Sequence, residues 1–174
     1  HFYIVPTHQG YGKNGLLPGE VRLELCRLMA ESTDYLEVDP TEVQAPKWSR
    51  TIETLKRLES ENPGCHVAIL CGVDLLGTFA TKWIKEQVIE ILDRFGLLVV
   101  PRRGSTGNLS EDYPILSGHE RNIITIQSNV MEDVSSTIVR DAIANGNKIS
   151  GLVIPAIEKV IVERGYFVPT GDRQ

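Results

Sequence analysis

Short apolar runs that alternate with helical patterns constrain this chain more than any other feature. His1 to Val5, Tyr35 to Val38, His66 to Leu70, Leu97 to Val100 and Asn122 to Gln127 read as strands, the first, third and fourth of them buried. Between them, Val21, Leu25, Leu28 and Met29 recur at the spacing of one helix face, followed by Ile52 and Leu55 in a helix beginning near Trp48, and by Val88, Ile91 and Leu92. Ile138, Ala142 and Ile143 line one side of a further helix stopped by Asn145-Gly146. A last helix starts at Pro155 and ends at Gly165, with Ile157, Val160 and Ile161 as its buried face. Strands separated by helices pair in parallel, so the fold class is α/β, with a parallel sheet flanked by helices. Ser105 to Glu120 is polar and turn-rich and reads as a surface loop.

The 174 residues, 41% of them hydrophobic, suffice for one well-buried domain, and neither a repeat nor a linker divides them. Eighteen basic against 23 acidic residues give a net charge of −5 without a basic block, which argues against a nucleic-acid partner but leaves room for a small phosphorylated ligand. No apolar run approaches the length of a membrane span. Cys26, Cys65 and Cys71 are odd in number and lack close pairing, so neither a disulfide framework nor a protein-bound metal is expected. This cysteine usage fits a reducing, intracellular setting, cytoplasmic or nuclear.

In open α/β sheets ligands gather at the carboxyl ends of strands, and the chemically distinctive residues cluster there. After the first strand comes a loop with Gly10, Gly12 and Gly15 around Lys13, where glycines allow close backbone approach; Lys13 is either solvated or a cation for a phosphate. His8, in the same loop, reads as a loop residue. Cys71-Gly72-Val73-Asp74 ends the third run, with Asp74 either a ribose acceptor or a helix cap. Pro101-Arg102-Arg103-Gly104 ends the fourth. After the fifth run and a polar turn, Ser128 to Asp133, the stretch Val134-Ser135-Ser136-Thr137-Ile138-Val139-Arg140 opens a helix. Its N-terminus presents unpaired N–H groups and the positive end of the dipole, suited to phosphate; Arg140 follows Thr137 by three positions and shares its face. The plainer reading is that Ser135 or Ser136 is simply an N-cap. Trp48 and Trp83 read either as core residues or as ring-stacking groups.

Taken in order, Gly10-Tyr11-Gly12-Lys13-Asn14-Gly15-Leu16, Trp48-Ser49-Arg50-Thr51, Cys71-Gly72-Val73-Asp74-Leu75-Leu76, Trp83 and Val134 to Arg140 closely resemble the nicotinamide/nicotinate mononucleotide adenylyltransferases of eukaryotic type, from about Ile4 to about Tyr166. The resemblance implies a Rossmann-like nucleotidyltransferase fold and Mg²⁺-dependent joining of ATP to nicotinamide or nicotinate mononucleotide, giving NAD or its deamido form plus pyrophosphate. It implies that Lys13, Trp48, Thr51 and Trp83 hold the mononucleotide. Gly72, Asp74, Arg102, Ser135, Ser136, Thr137 and Arg140 would hold ATP, with Lys13 and Arg140 serving the transfer itself. Magnesium would ride on the ATP phosphates, and self-association into a homo-oligomer is expected. Lys82 replaces the usual apolar neighbour of Trp83, and Glu132 stands where relatives often carry Asn, so that contact is not carried over.

The family's first strand, Gly-Ser-Phe-Asn-Pro-type loop and histidine-bearing helix have no counterpart before His1. A strand–helix unit of roughly 20–40 residues is therefore expected to be missing from the front, and without it the sheet would split and leave two open edges. Other readings stay open: a nucleotidyltransferase with another phosphate acceptor, needing neither Trp48 nor Trp83, or a non-catalytic, chaperone-like or interaction member of the family. A generic dinucleotide-binding domain is disfavoured because the glycines at 10, 12 and 15 lie in a loop and do not lead directly from a strand into a helix. Amide and acid substrates are not distinguished by these residues.

Overall fold

A computed structural model of the chain describes residues 1–12, 15–101, 109–126 and 134–169. In chain order the main elements are β1 (Phe2–Ile4), α1 (Gly19–Ala30), β2 (Leu36–Val38), α2 (Thr41–Gln44), α3 (Thr51–Glu61), β3 (Ile69–Gly72), α4 (Val73–Phe79), α5 (Lys85–Glu90), β4 (Leu97–Val100), α6 (Leu109–Asp112), β5 (Ile123–Thr125), α7 (Ser136–Ala144) and α8 (Pro155–Arg164). They gather into two compact units, one of His1–Ser49 with Val134–Gln174 and the other of Arg50–Asp133. Each unit has its own parallel sheet, β1-β2 in the first and β3-β4-β5 in the second. Among the described residues no helix is long and apolar enough to cross a membrane.

The first unit is built on helix packing. Leu23 is the buried residue of α1, while Met29 is 41% exposed and lies outside the face expected for it. The reason is that α1 packs against β2, α2 and α8, with Leu25 and Leu28 turned into one cluster and Leu23 buried on another side of the helix. Leu25 and Leu28 meet Val139, Ile149, Ile157 and Ile161 in a cluster formed by α1, α7 and α8. On α7, Ala142 and Ile143 pack on this cluster as expected, while Val139 is the buried residue and Ile138 is exposed. Strand β1 is half-buried to exposed rather than buried, because in its two-stranded sheet it pairs with β2 alone.

The second unit has the larger core. The faces of β3 and β4 that carry Cys71, Leu97 and Val99 pack on Ile52 and Leu55 of α3, on Leu76 and Phe79 of α4, and on Val88, Ile91, Leu92 and Phe95. Strand pairing moves β3 toward its carboxyl end relative to the run at 66–70: Ile69 lies opposite Leu97 and Gly72 opposite Val100, so pairing begins only where β4 provides a partner. After α5 the chain widens into a single π turn at Ile91–Phe95, with Gly96 N donating to Ile91 O at 2.8 Å. Gly96 takes φ 83°, and a Cβ there would lie 2.5 Å from Asn122 O, so only glycine fits. The segment from 105 to 120, expected to be surface loop, contains α6 and a 3₁₀ turn at Pro114–Leu116 that fully buries Leu116.

Candidate active site

The start of α7 is the best-defined piece. Ser135 has extended backbone and caps the helix, its Oγ accepting from Ile138 N at 3.3 Å. The cap reading therefore holds for Ser135. Ser135 is the cap, and by doing that work it leaves Ser136 and Thr137 exposed in the first turn, where helix geometry aims N–H groups outward. Arg140, half-buried one turn on, donates Nη2 to Thr137 Oγ1 at 3.1 Å. A hydroxyl, a guanidinium and the positive end of a nine-residue helix thus lie at one place.

Also in the first unit, the loop after β1 is tied into a defined shape. His8 Nδ1 accepts from Gly10 N at 2.9 Å, and a short 3₁₀ turn follows at Gln9–Tyr11. Gly10 has no room for a side chain, since a Cβ would lie 2.9 Å from His8 Nδ1 and 4.0 Å from Trp48 Cβ. Trp48 is therefore seated beside this turn. It is 43% exposed and precedes α3 instead of opening it, so it is not the core residue that helical spacing allowed. Lys13 lies outside the described residues, as do Arg102, Arg103, Glu132 and the polar turn at 128–133.

In the second unit, Thr51 is the half-buried first residue of α3. Gly72 ends β3 and Asp74 lies in the first turn of α4, both exposed. A Cβ on Gly72 would meet nothing within 4 Å, so the space beside its backbone is open. Next to it, burial pushes the Cys71 thiol up to about 11, which keeps it neutral near pH 7. Trp83 is held from two sides. Its ring meets Phe79 edge-on at 5.2 Å, and its indole N–H donates to Thr78 Oγ1 at 3.0 Å, while the Thr78 hydroxyl donates to Leu75 O at 2.6 Å. Half-buried on the core edge, Trp83 is a fixed platform, with its polar atom already satisfied.

The sequence reading missed the residues that support these pieces. Arg22 donates Nε to Leu17 O at 2.9 Å, Nη1 to Thr7 O at 2.7 Å and Nη2 to Gln9 Oε1 at 3.3 Å. Glu42 accepts from Thr7 Oγ1 at 2.9 Å and from His8 N at 3.4 Å. The one available signal was an arginine near the start of a helix, where the dipole disfavours a cation and another use is implied. Thr78 gave no signal at all, because its role depends on where the chain brings Trp83.

Comparison with known proteins agrees with the sequence resemblance. Residues 2–142 match the cytidylyltransferase-like family. The nicotinamide/nicotinic acid mononucleotide adenylyltransferase of Arabidopsis thaliana is 31% identical over 161 residues, covering 86% of this chain and 68% of the plant protein. The protein of the same name from Oryza sativa subsp. japonica is 31% identical over 176 residues, covering 95% and 71%. The solved structure of Plasmodium falciparum nicotinic acid mononucleotide adenylyltransferase, complexed with APC, superposes with a TM-score of 0.66 over 95% of this chain and 81% of that one. At 12% identity that superposition speaks for the fold alone, a Rossmann-like nucleotidyltransferase fold of parallel sheets flanked by helices. By sequence and fold together, the chain belongs to the cytidylyltransferase-like family and, within it, to the nicotinamide/nicotinic acid mononucleotide adenylyltransferases.

Proposed function

We propose that this protein joins ATP to nicotinamide or nicotinate mononucleotide, releasing pyrophosphate and forming NAD or its deamido counterpart. The 5′-phosphate oxygen of the mononucleotide attacks the α-phosphorus of ATP; the bond from that phosphorus to the bridging oxygen breaks, and pyrophosphate carries the electron pair away. The attacking phosphate is anionic near pH 7, so no side-chain nucleophile is required, consistent with the neutral Cys71 thiol at the end of β3. What the protein supplies is alignment of two mutually repelling phosphates and neutralisation of the charge that builds on the leaving group.

The observation that carries this reading is the α7 start, where Ser136, Thr137 and Arg140 present N–H, hydroxyl and guanidinium donors together. In this reading they hold the triphosphate, with Arg102 as a second cation. Lys13 holds the mononucleotide phosphate, while Trp48, Thr51 and Trp83 hold its pyridine-bearing half. Gly72 and Asp74 take the adenosine half. In this reading magnesium rides on the phosphate oxygens of ATP. Bound there, it would supply further charge neutralisation.

The test is NAD formation from nicotinamide mononucleotide, ATP and Mg²⁺ by the purified protein, with nicotinate mononucleotide run in parallel. Magnesium-dependent product from either establishes the activity, and the ratio of the two kcat/KM values sets the substrate preference. Binding of both substrates without product would instead identify a non-catalytic relative. Failure of either mononucleotide to compete would point to another phosphate acceptor.

A further inference from the structure

We propose that Arg22 is a positioning residue for the mononucleotide half of the site, acting through the loop that follows β1 and not by touching substrate; this rests on the function proposed above. One guanidinium reaches both arms of that loop: the carbonyls of Thr7 and Leu17, ten residues apart in sequence, accept at 2.7 and 2.9 Å, and Gln9 Oε1 accepts at 3.3 Å. A planar group with several donors in fixed directions can close such a span, whereas a single ammonium cannot satisfy both carbonyls in the same geometry.

Arg22 can act as a fixed point because its own backbone is fixed. Gly19 opens α1 so close to α2 that a Cβ there would lie 2.8 Å from Val43 Cγ2. The same short helix α2 carries Glu42, which takes the Thr7 hydroxyl and His8 N–H from the other side. Thr7 is thus held at its carbonyl by Arg22 and at its hydroxyl by Glu42. His8, held through its backbone N–H, in turn caps Gly10. This chain of contacts ends at the Gly10 turn, beside which Trp48 lies, its Cβ 4.0 Å from where a side-chain carbon on Gly10 would be. Removing Arg22 releases two carbonyls and loosens the turn beside Trp48, leaving the Thr137–Arg140 contact of α7, assigned to the triphosphate, with its own partners intact.

The test compares wild type, Arg22→Ala and Arg22→Lys by steady-state kinetics and by quenching of tryptophan fluorescence on titration with nicotinamide mononucleotide and, separately, ATP. Arg22→Ala is expected to raise the KM and Kd for the mononucleotide by about tenfold, with those for ATP within about twofold. Arg22→Lys, which retains one donor arm, is expected to fall between, at about threefold. If Arg22→Ala does not fold, Arg22→Lys carries the same comparison. Unchanged mononucleotide constants in the folded variant, or an equal rise in both substrates' constants, would overturn the assignment, the latter marking a general structural role. If wild type binds the mononucleotide without forming NAD, the catalytic reading fails, while the Kd comparison still decides the role of Arg22. If wild type binds neither substrate, both fail.

Discussion

Arg140 Nη2 donates to Thr137 Oγ1 at 3.1 Å, across one turn at the start of α7. The bond holds a long, otherwise flexible side chain beside the helix N-terminus, which lowers the entropy lost when an anion arrives. If this is where charge on the leaving pyrophosphate is met, Arg140→Ala should lower kcat by roughly 10²–10³, by analogy with the loss of one charge-stabilising donor. Circular dichroism of the variant should match wild type, since the buried contact of this turn is Val139 and not Arg140. Near-normal turnover in a folded Arg140→Ala protein would remove Arg140 from the site.

The Gly96 position makes a prediction about stability alone. An alanine there would need both a backbone region that is almost exclusively glycine's, at φ 83° and ψ 179°, and space occupied by Asn122 O. The neighbouring backbone cannot shift freely, because the Asn122 side chain also donates to the carbonyls of Leu92 and Asp93 at 2.9 and 3.0 Å. Gly96→Ala is expected to cost roughly 3 kcal/mol or more in urea unfolding. A change below about 1 kcal/mol would mean that the turn between Phe95 and β4 is not built as described.

A third prediction concerns acid. Arg164 on α8 grips Glu24 on α1 through two parallel hydrogen bonds of 2.6 Å, and this contact holds the Glu24 carboxyl below its ordinary value of 4.5. A lowered folded-state pKa contributes stability that is fully present above the unfolded value and is lost as pH falls through the folded one. Both side chains are exposed to water, so the effect is small: Glu24→Gln should lower Tm by about 1–3 °C at pH 7. The gap between variant and wild type should narrow as the pH falls below 4.5. Thermal melts of the two proteins from pH 7 down to pH 3 check this, and a gap that widens toward acid would contradict the pairing.

Local patterning alone placed the five strands and the helices α1, α3, α5, α7 and α8 in order and kind, but not the short helices α2, α4 and α6. It did so because strands and helices differ in hydrophobic period, and because Asn145-Gly146, Pro155 and Gly165 punctuate helices by backbone chemistry that needs no tertiary context. The Thr137–Arg140 contact was legible for the same reason, since a three-residue spacing on a helix is a geometric fact. Tertiary structure decided what depends on a partner distant in sequence. Strand β3 lies where β4 can pair with it, and Val139 and not Ile138 turns inward because α1 and α8 lie on that side. Leu116, inside a polar stretch, is buried because the core of the second unit extends to it. Arg22 became visible as the tie across the glycine-rich loop only when Thr7 and Leu17 were brought to its two ends, because a hydrogen bond between residues far apart in the chain leaves no periodic trace in the sequence.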